Sequence, residues 1–137
     1  MHNVQLPNSR FLYQSQKVEA IDVSGAISVI DEYIHHSNQL SLAKDKIIIE
    51  FSKNPKDTDF PSSTVLVGRS VVGYDEEVFS QILYKDYKRY NVIQTSIKLY
   101  SDWHKVYEEA VLYIGDKKIW MLILEDNFSS AQIQIKN

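Results

Sequence analysis

The chain contains no cysteine, which excludes disulfides, thiolate nucleophiles and Cys-based zinc or iron–sulfur sites. Glycine is scarce: four residues, at positions 25, 68, 73 and 115. Neither a dinucleotide-binding fingerprint nor a phosphate-cradling loop can be assembled from that spacing, and a Gly-x-Ser-x-Gly nucleophile elbow is missing as well. Long apolar runs are absent. The longest, Ile119 to Leu124, is six residues, far short of the roughly 20 that a membrane-spanning helix needs. Met1 to Arg10 has no basic segment leading into an apolar stretch, so no secretory leader is visible. These absences predict a soluble, cytoplasmic protein with no membrane partner and no cofactor.

Positive charge is not in excess either. Fifteen Lys and Arg face eighteen Asp and Glu, for a net charge of −3. Nucleic-acid binders usually carry a basic stripe that neutralises several phosphates. Here the nearest candidate, Lys85, Lys88 and Arg89, lies beside Asp86 and downstream of Asp75, Glu76 and Glu77. Nucleic acid is therefore not expected as the main partner.

What is present suits a folded domain. At 137 residues, 44 % apolar and 24 % charged, the chain can bury a core without metal or crosslink. One globular domain over 1–137 is expected, with residues 1–9 flexible. The aromatic share of 12 % includes nine tyrosines, whose apolar body and polar tip suit half-buried sheet faces and interface centres.

Residues 10–23 read as extended. Ser24 can cap a helix over which Ala26, Ile27, Ile30, Tyr33 and Ile34 recur at helical spacing, ending near Ser37. Lys46 to Phe51, with three consecutive isoleucines, reads as a strand covered on both faces. Residues 52–63 read as a loop, and Thr64 to Val72 as a strand with Gly68 as a possible bulge. Asp75 then offers a second cap, with Glu76 and Glu77 where the helix dipole favours negative charge. Val78, Phe79, Ile82 and Leu83 supply an apolar stripe for a second helix, ending near Lys85. Val92 to Tyr100 reads as a strand. Residues 101–114 fit a helical template and a strand alike, and are read as a short helical turn followed by one arm of a hairpin around Gly115–Lys118. Residues 131–135 alternate as a last strand. The expected class is α+β: a mainly antiparallel sheet, two principal helices on one face and a C-terminal β-meander.

Three constellations carry chemical interest. Asp31–His35 and Glu32–His36 stand four residues apart on one helix face and could each offer a metal two ligands, with His104 as a distant third. The plainer reading is an exposed face with weak charge pairs, and no metal is expected. Asp75, Glu76 and Glu77, with Tyr84 and Tyr87, form an acidic, aromatic surface suited to a protein partner. Trp103, His104, Tyr107, Tyr113 and Trp120 could instead line an aromatic pocket between sheet and helices.

In type, this acidic, Tyr-rich, cysteine-free profile resembles small bacterial or phage proteins that bind and neutralise a partner, such as toxin-immunity proteins or inhibitors of defence nucleases. That resemblance implies a non-enzymatic protein-binding module. A small-molecule-binding or enzymatic domain using the aromatic pocket is the alternative. Self-association by pairing an edge strand within 131–136 is compatible with either.

Overall fold

Period-two alternation decides most of this chain. The computed structural model describes residues 2–53, 57–75, 81–98, 120–125 and 130–136. Within them lie nine strands: β1 (His2–Leu6), β2 (Ser9–Lys17), β3 (Leu40–Leu42), β4 (Ile47–Phe51), β5 (Thr64–Gly73), β6 (Ile82–Tyr87), β7 (Tyr90–Lys98), β8 (Met121–Leu124) and β9 (Ser130–Lys136). The one α-helix among the described residues, α1 (Val23–His36), separates β2 from β3. All pairings are antiparallel, in the order β1-β7-β9-β8-β4-β5-β2-β6, with β3 also paired to β5.

Two short connections bend this sheet. Pro7–Asn8 joins β1 to β2, and Lys88–Arg89 joins β6 to β7, yet each pair stands six strands apart in the order. Six interstrand spacings in a flat sheet come to roughly 29 Å, whereas two intervening residues reach only about 11 Å. The sheet therefore curls into a half-barrel until its ends converge. The two connections also meet: the Arg89 backbone N–H donates to Asn8 Oδ1 at 2.6 Å.

The helix covers one face. Asp22 caps it by accepting from the Gly25 N–H at 3.0 Å, two residues before the cap suggested by Ser24. Ala26, Ile27 and Ile30 pack onto the sheet together with Ile49, Val67, Leu122 and Ile133, all buried. Each of the Ile, Val and Leu side chains contributes about 1.5–3 kcal/mol through burial. Arg69, 4 % exposed, lies in this layer, and its guanidinium grips Asp31 of α1 through two hydrogen bonds of 2.6 and 3.0 Å. Gly68 is required where β5 and β2 touch, because a Cβ there would stand 1.9 Å from the Leu12 carbonyl oxygen.

Several expectations need correction. The fold is mostly antiparallel sheet curled round one helix, not an α+β layer with two principal helices. The apolar residues at the end of the expected second helix belong to β6, where Ile82 and Tyr84 face α1 while Lys85 and Tyr87 face away. Gln81, with a positive φ of 83°, precedes the strand and is incompatible with a helix running through it. Asp86 thus meets no apolar core: it pairs with Arg10 across the β2–β6 ladder at 2.7 Å. The C-terminal strands do not run as a simple meander, since β9 inserts between β7 and β8. That also removes 131–136 as an edge, because β9 is paired on both sides. His2–Leu6, within the segment expected to be flexible, is bound to β7 as β1. The expected hairpin arm at 110–114 and the turn at 102–107 lie outside the described residues.

Candidate ligand-binding site

The sheet face turned away from α1 is where the unusual chemistry lies. In β4, Ile47, Ile49 and Phe51 point to the helix side. Strand alternation sends Ile48 and Glu50 to the opposite face. Glu50 is only 6 % exposed, and its register neighbours, Leu66 and Met121, are both apolar. A carboxylate buried there must find compensating partners. It finds two: Lys85 Nζ donates to Oε2 at 2.7 Å, and the Tyr87 hydroxyl donates to Oε1.

Both partners come from β6, which is separated from β4 by β5 and β2. In a flat sheet that separation is roughly 14 Å, so the curl of the sheet creates the cluster. Tyr87 lies against Trp120 at 5.6 Å, and Tyr90 against Trp120 at 4.8 Å, both nearly edge-on. Tyr87 and Tyr90 are 6.0 Å apart, and Phe11 is 6.3 Å from Tyr87. Edge-to-face rings at such spacing are mutually attractive and present electron-rich faces to whatever lies beside them. Lys85 already uses one of them, its Nζ standing 5.3 Å from the Tyr87 ring centre. Burial, then the hydrogen bond and negative charge of Glu50, push the Tyr87 hydroxyl far above its ordinary range. Burial, with Glu50 second, also raises Tyr90. Both remain protonated donors at neutral pH.

Beside this cluster runs a cavity of about 380 Å³, whose walls include Phe11, Ile48, Tyr87, Tyr90, Met121 and Gln134. That volume lies within the range of small-molecule sites. Glu50 is not among the lining residues, but Tyr87, which is, donates to it. A transverse row of the sheet runs Gln94, Gln134, Met121, Glu50, Leu66 across five strands. Its first three members line the cavity, and Glu50 stands beyond them in the row. Gln134 Nε2 donates to Gln94 Oε1 at 3.0 Å. Gln134 Oε1 is buried and has no hydrogen-bond partner among the described residues.

The residues singled out in the sequence are distributed differently. Asp75 accepts from Ser37 Oγ at 2.5 Å, its N–H donates to the Tyr84 hydroxyl oxygen at 3.1 Å, and the Tyr84 ring lies tilted against Tyr74 at 4.8 Å. Tyr84 is thus tied into the helix side of the sheet, while Tyr87 faces the cavity. Of the expected partner-binding set, Asp75 meets Tyr84, and Tyr87 lies on the opposite face of the sheet. Glu76 and Glu77 lie outside the described residues, as do Trp103, His104, Tyr107 and Tyr113. Trp120, drawn from the pocket set, meets Tyr87, drawn from the surface set. Asp31 is engaged by Arg69 rather than poised beside His35, and Glu32 and His36 are exposed and 3.9 Å apart. Among the described residues no three His, Asp or Glu side chains gather to hold a metal. Sequence reading missed Glu50, Lys85, Tyr90 and Gln134. The available signals were a lone charge ending the apolar run Ile47–Ile49 and the Gln–Ile–Gln alternation in 132–134.

The described residues form an antiparallel half-barrel with a cavity on the face opposite its helix. The chain is similar to solved structures of EcmrR. It shares 12 % identity and a TM-score of 0.64 with the EcmrR C-terminal domain, over 98 % of this chain and 94 % of that one. Against an EcmrR–DNA complex in EcmrR-RPo, identity is 9 % and the TM-score 0.63, over 98 % of this chain. The chain spans 56 % of the length of EcmrR in that complex. No protein-family model matches, and no curated protein matches in sequence. These likenesses overturn the reading as a neutralising, immunity- or inhibitor-type protein: the fold is one built into a protein solved on DNA. The exclusion of nucleic acid as a main partner is withdrawn on the same ground. No described helix is long and apolar enough to cross a membrane.

Proposed function

We propose that this chain is an effector-binding domain of the kind carried by transcription regulators, and that its cavity takes a lipophilic aromatic cation. One observation carries the ligand reading: Tyr87, an aromatic lining residue of a largely apolar cavity, is hydrogen-bonded to the buried carboxylate of Glu50 and stands edge-on to Trp120. A flat cation entering beside Tyr87 and Tyr90 gains from ring faces and from the carboxylate, while its apolar body covers Met121 and Ile48. Lys85, whose side chain is 43 % exposed, is the native counter-ion and can withdraw into water as the ligand charge arrives. Cation binding is thus an exchange, not the creation of a new buried charge.

The link to transcription draws on the fold shared with EcmrR and its DNA complex. DNA contacts would come from a part of the regulator outside this domain. The cations of the described ion pairs, Arg10, Lys46, Lys53, Arg69 and Lys85, each face a carboxylate, which leaves them poorly suited to a row of phosphates. Such a regulator works in the cytoplasm, with its DNA.

Calorimetric titration tests the ligand reading with two probes of one shape: 4′-methylbiphenyl-4-yl-trimethylammonium and 4′-methylbiphenyl-4-carboxylate. The cation is expected to bind and the anion not to bind. Glu50→Gln should weaken the cation at least ten-fold, about 1.4 kcal/mol. Equal binding of the two probes, or full affinity in the Glu50→Gln variant, would overturn the assignment.

A further inference from the structure

We infer that Ser70 is a specificity-determining residue of the cavity, whose hydroxyl donates a hydrogen bond to an acceptor oxygen at the end of the ligand remote from its charge. The inference rests on the cavity being a cation-binding site, and adds the second pole of its ligand.

Alternation along β5 fixes where Ser70 points. Arg69 reaches Asp31 of α1, and Val71 is buried with Ile30 and Tyr33, so Ser70 between them faces the opposite side. There it lines the cavity beside Phe11, its register partner on β2. Ser70 is 8 % exposed. Its hydroxyl has no hydrogen-bond partner among the described residues, yet it is not sealed, since Gln134 Oε1 is the one enclosed side-chain atom left unpaired among them. The hydroxyl of so deeply buried a residue is reached from the cavity that the residue lines. Buried hydroxyls are almost always paired, and an exception needs a reason.

The neighbouring chain keeps this space open. Residues 43–47 separate Leu42 from Ile48, whereas Arg69 and Ser70 alone separate their partners on β5, Val71 and Gly68. The longer side therefore bulges beside Ser70. The Ala43 N–H still donates to the Ser70 carbonyl at 2.9 Å, but the Ala43 side chain is a single methyl and fills little. Ala43, Lys44 and Lys46 of the bulge line the cavity together with Ser70. Both lysines carry donors and no acceptor. This end of the cavity calls for an acceptor on the ligand, and Ser70 meets it from a strand bonded on both sides.

Phe11 stands between the two poles. Its ring is 6.3 Å from Tyr87, and in the register it separates Lys85 of β6 from Ser70 of β5. Two interstrand spacings lie between those outer members, on the order of 10 Å. The ligand class is an elongated aromatic cation, with its charge beside Tyr87 and Tyr90, an apolar body over Phe11 and Ile48, and a carbonyl-type acceptor at Ser70. Two para-linked rings ending in a carbonyl provide a span of this order.

The test compares 4′-acetylbiphenyl-4-yl-trimethylammonium with its 4′-isopropenyl counterpart, in which a methylene replaces the carbonyl oxygen. Calorimetry on the wild-type protein should show about five-fold tighter binding of the acetyl compound, the effect of one neutral hydrogen bond. In Ser70→Ala that preference should vanish while the isopropenyl compound keeps its affinity. In Glu50→Gln both compounds should weaken together, with the preference retained. Equal affinity of wild type for the two compounds would overturn the inference and leave the cation site standing. Preference retained in Ser70→Ala would also overturn it, and would pass the acceptor to Lys44 or Lys46. Binding of neither compound to the wild type would remove the cation site and this inference together.

Discussion

The Tyr87 hydroxyl donates to the Glu50 carboxylate across two intervening strands, joining residues 37 positions apart in the chain. This contact ties Tyr87, which lines the cavity, to a buried carboxylate. It also sets an alkaline limit on the fold. The Tyr87 and Tyr90 hydroxyls are raised above their ordinary values near 10 by burial and by Glu50. A raised tyrosine stabilises the fold fully below its unfolded value and loses that contribution as pH climbs beyond it. Stability should therefore be flat through neutrality and fall above about pH 10. Ultraviolet titration should show tyrosines that ionise only as the protein unfolds, and Tyr87→Phe should reduce their number.

Lys85 and a cationic ligand compete for one carboxylate. Removing Lys85 as Lys85→Met should lower the melting temperature of the free protein, because Glu50 loses its counter-ion. It should raise affinity for the biphenyl trimethylammonium probe several-fold, with the lost stability recovered at saturation. Unchanged affinity would mean that the ammonium does not contest the site.

Arg69 and Asp31 pin α1 to β5, with the Arg69 side chain 5 % and the Asp31 side chain 43 % exposed. Asp31→Ala strips a partner from a buried guanidinium and should cost about 1–3 kcal/mol in urea denaturation. The pair Arg69→Met with Asp31→Ala removes the buried charge too, and should recover part of that loss. A double variant less stable than the single one would contradict this account.

Gly68 tolerates no side chain. Gly68→Ala would force β5 away from the Leu12 carbonyl, now 1.9 Å from the position of the added Cβ. A loss above about 2 kcal/mol is expected. Because β5 and β2 lie between β4 and β6, the shift should also disturb the contact of Tyr87 with Glu50, and ligand affinity should fall with stability.

Much of the local structure was legible. α1, β4 and β5 fall close to their predicted positions because their apolar residues repeat at one clear period. β6 was misread because Ile82 and Leu83, taken with Val78 and Phe79, match a helical template as well as any true helix. The competing signal, Tyr84, Asp86 against Lys85, Tyr87, is an alternation that only pairing with β2 makes decisive. β1 was missed for a similar reason: a short polar strand is specified by the edge it joins, not by its own residues.

The site divides along the same line. Local sequence was enough to make β4 a strand, since strand propensity and apolar patterning act between neighbours in the chain, but it did not single out Glu50. Whether that carboxylate meets water, a core or a ligand was decided by the curl of the sheet. Two-residue connections force distant strands together, and so carry Lys85, Tyr87 and Tyr90 to Glu50. Electrostatics and hydrogen bonding act over a few ångströms of space, and that proximity exists only once the half-barrel has closed.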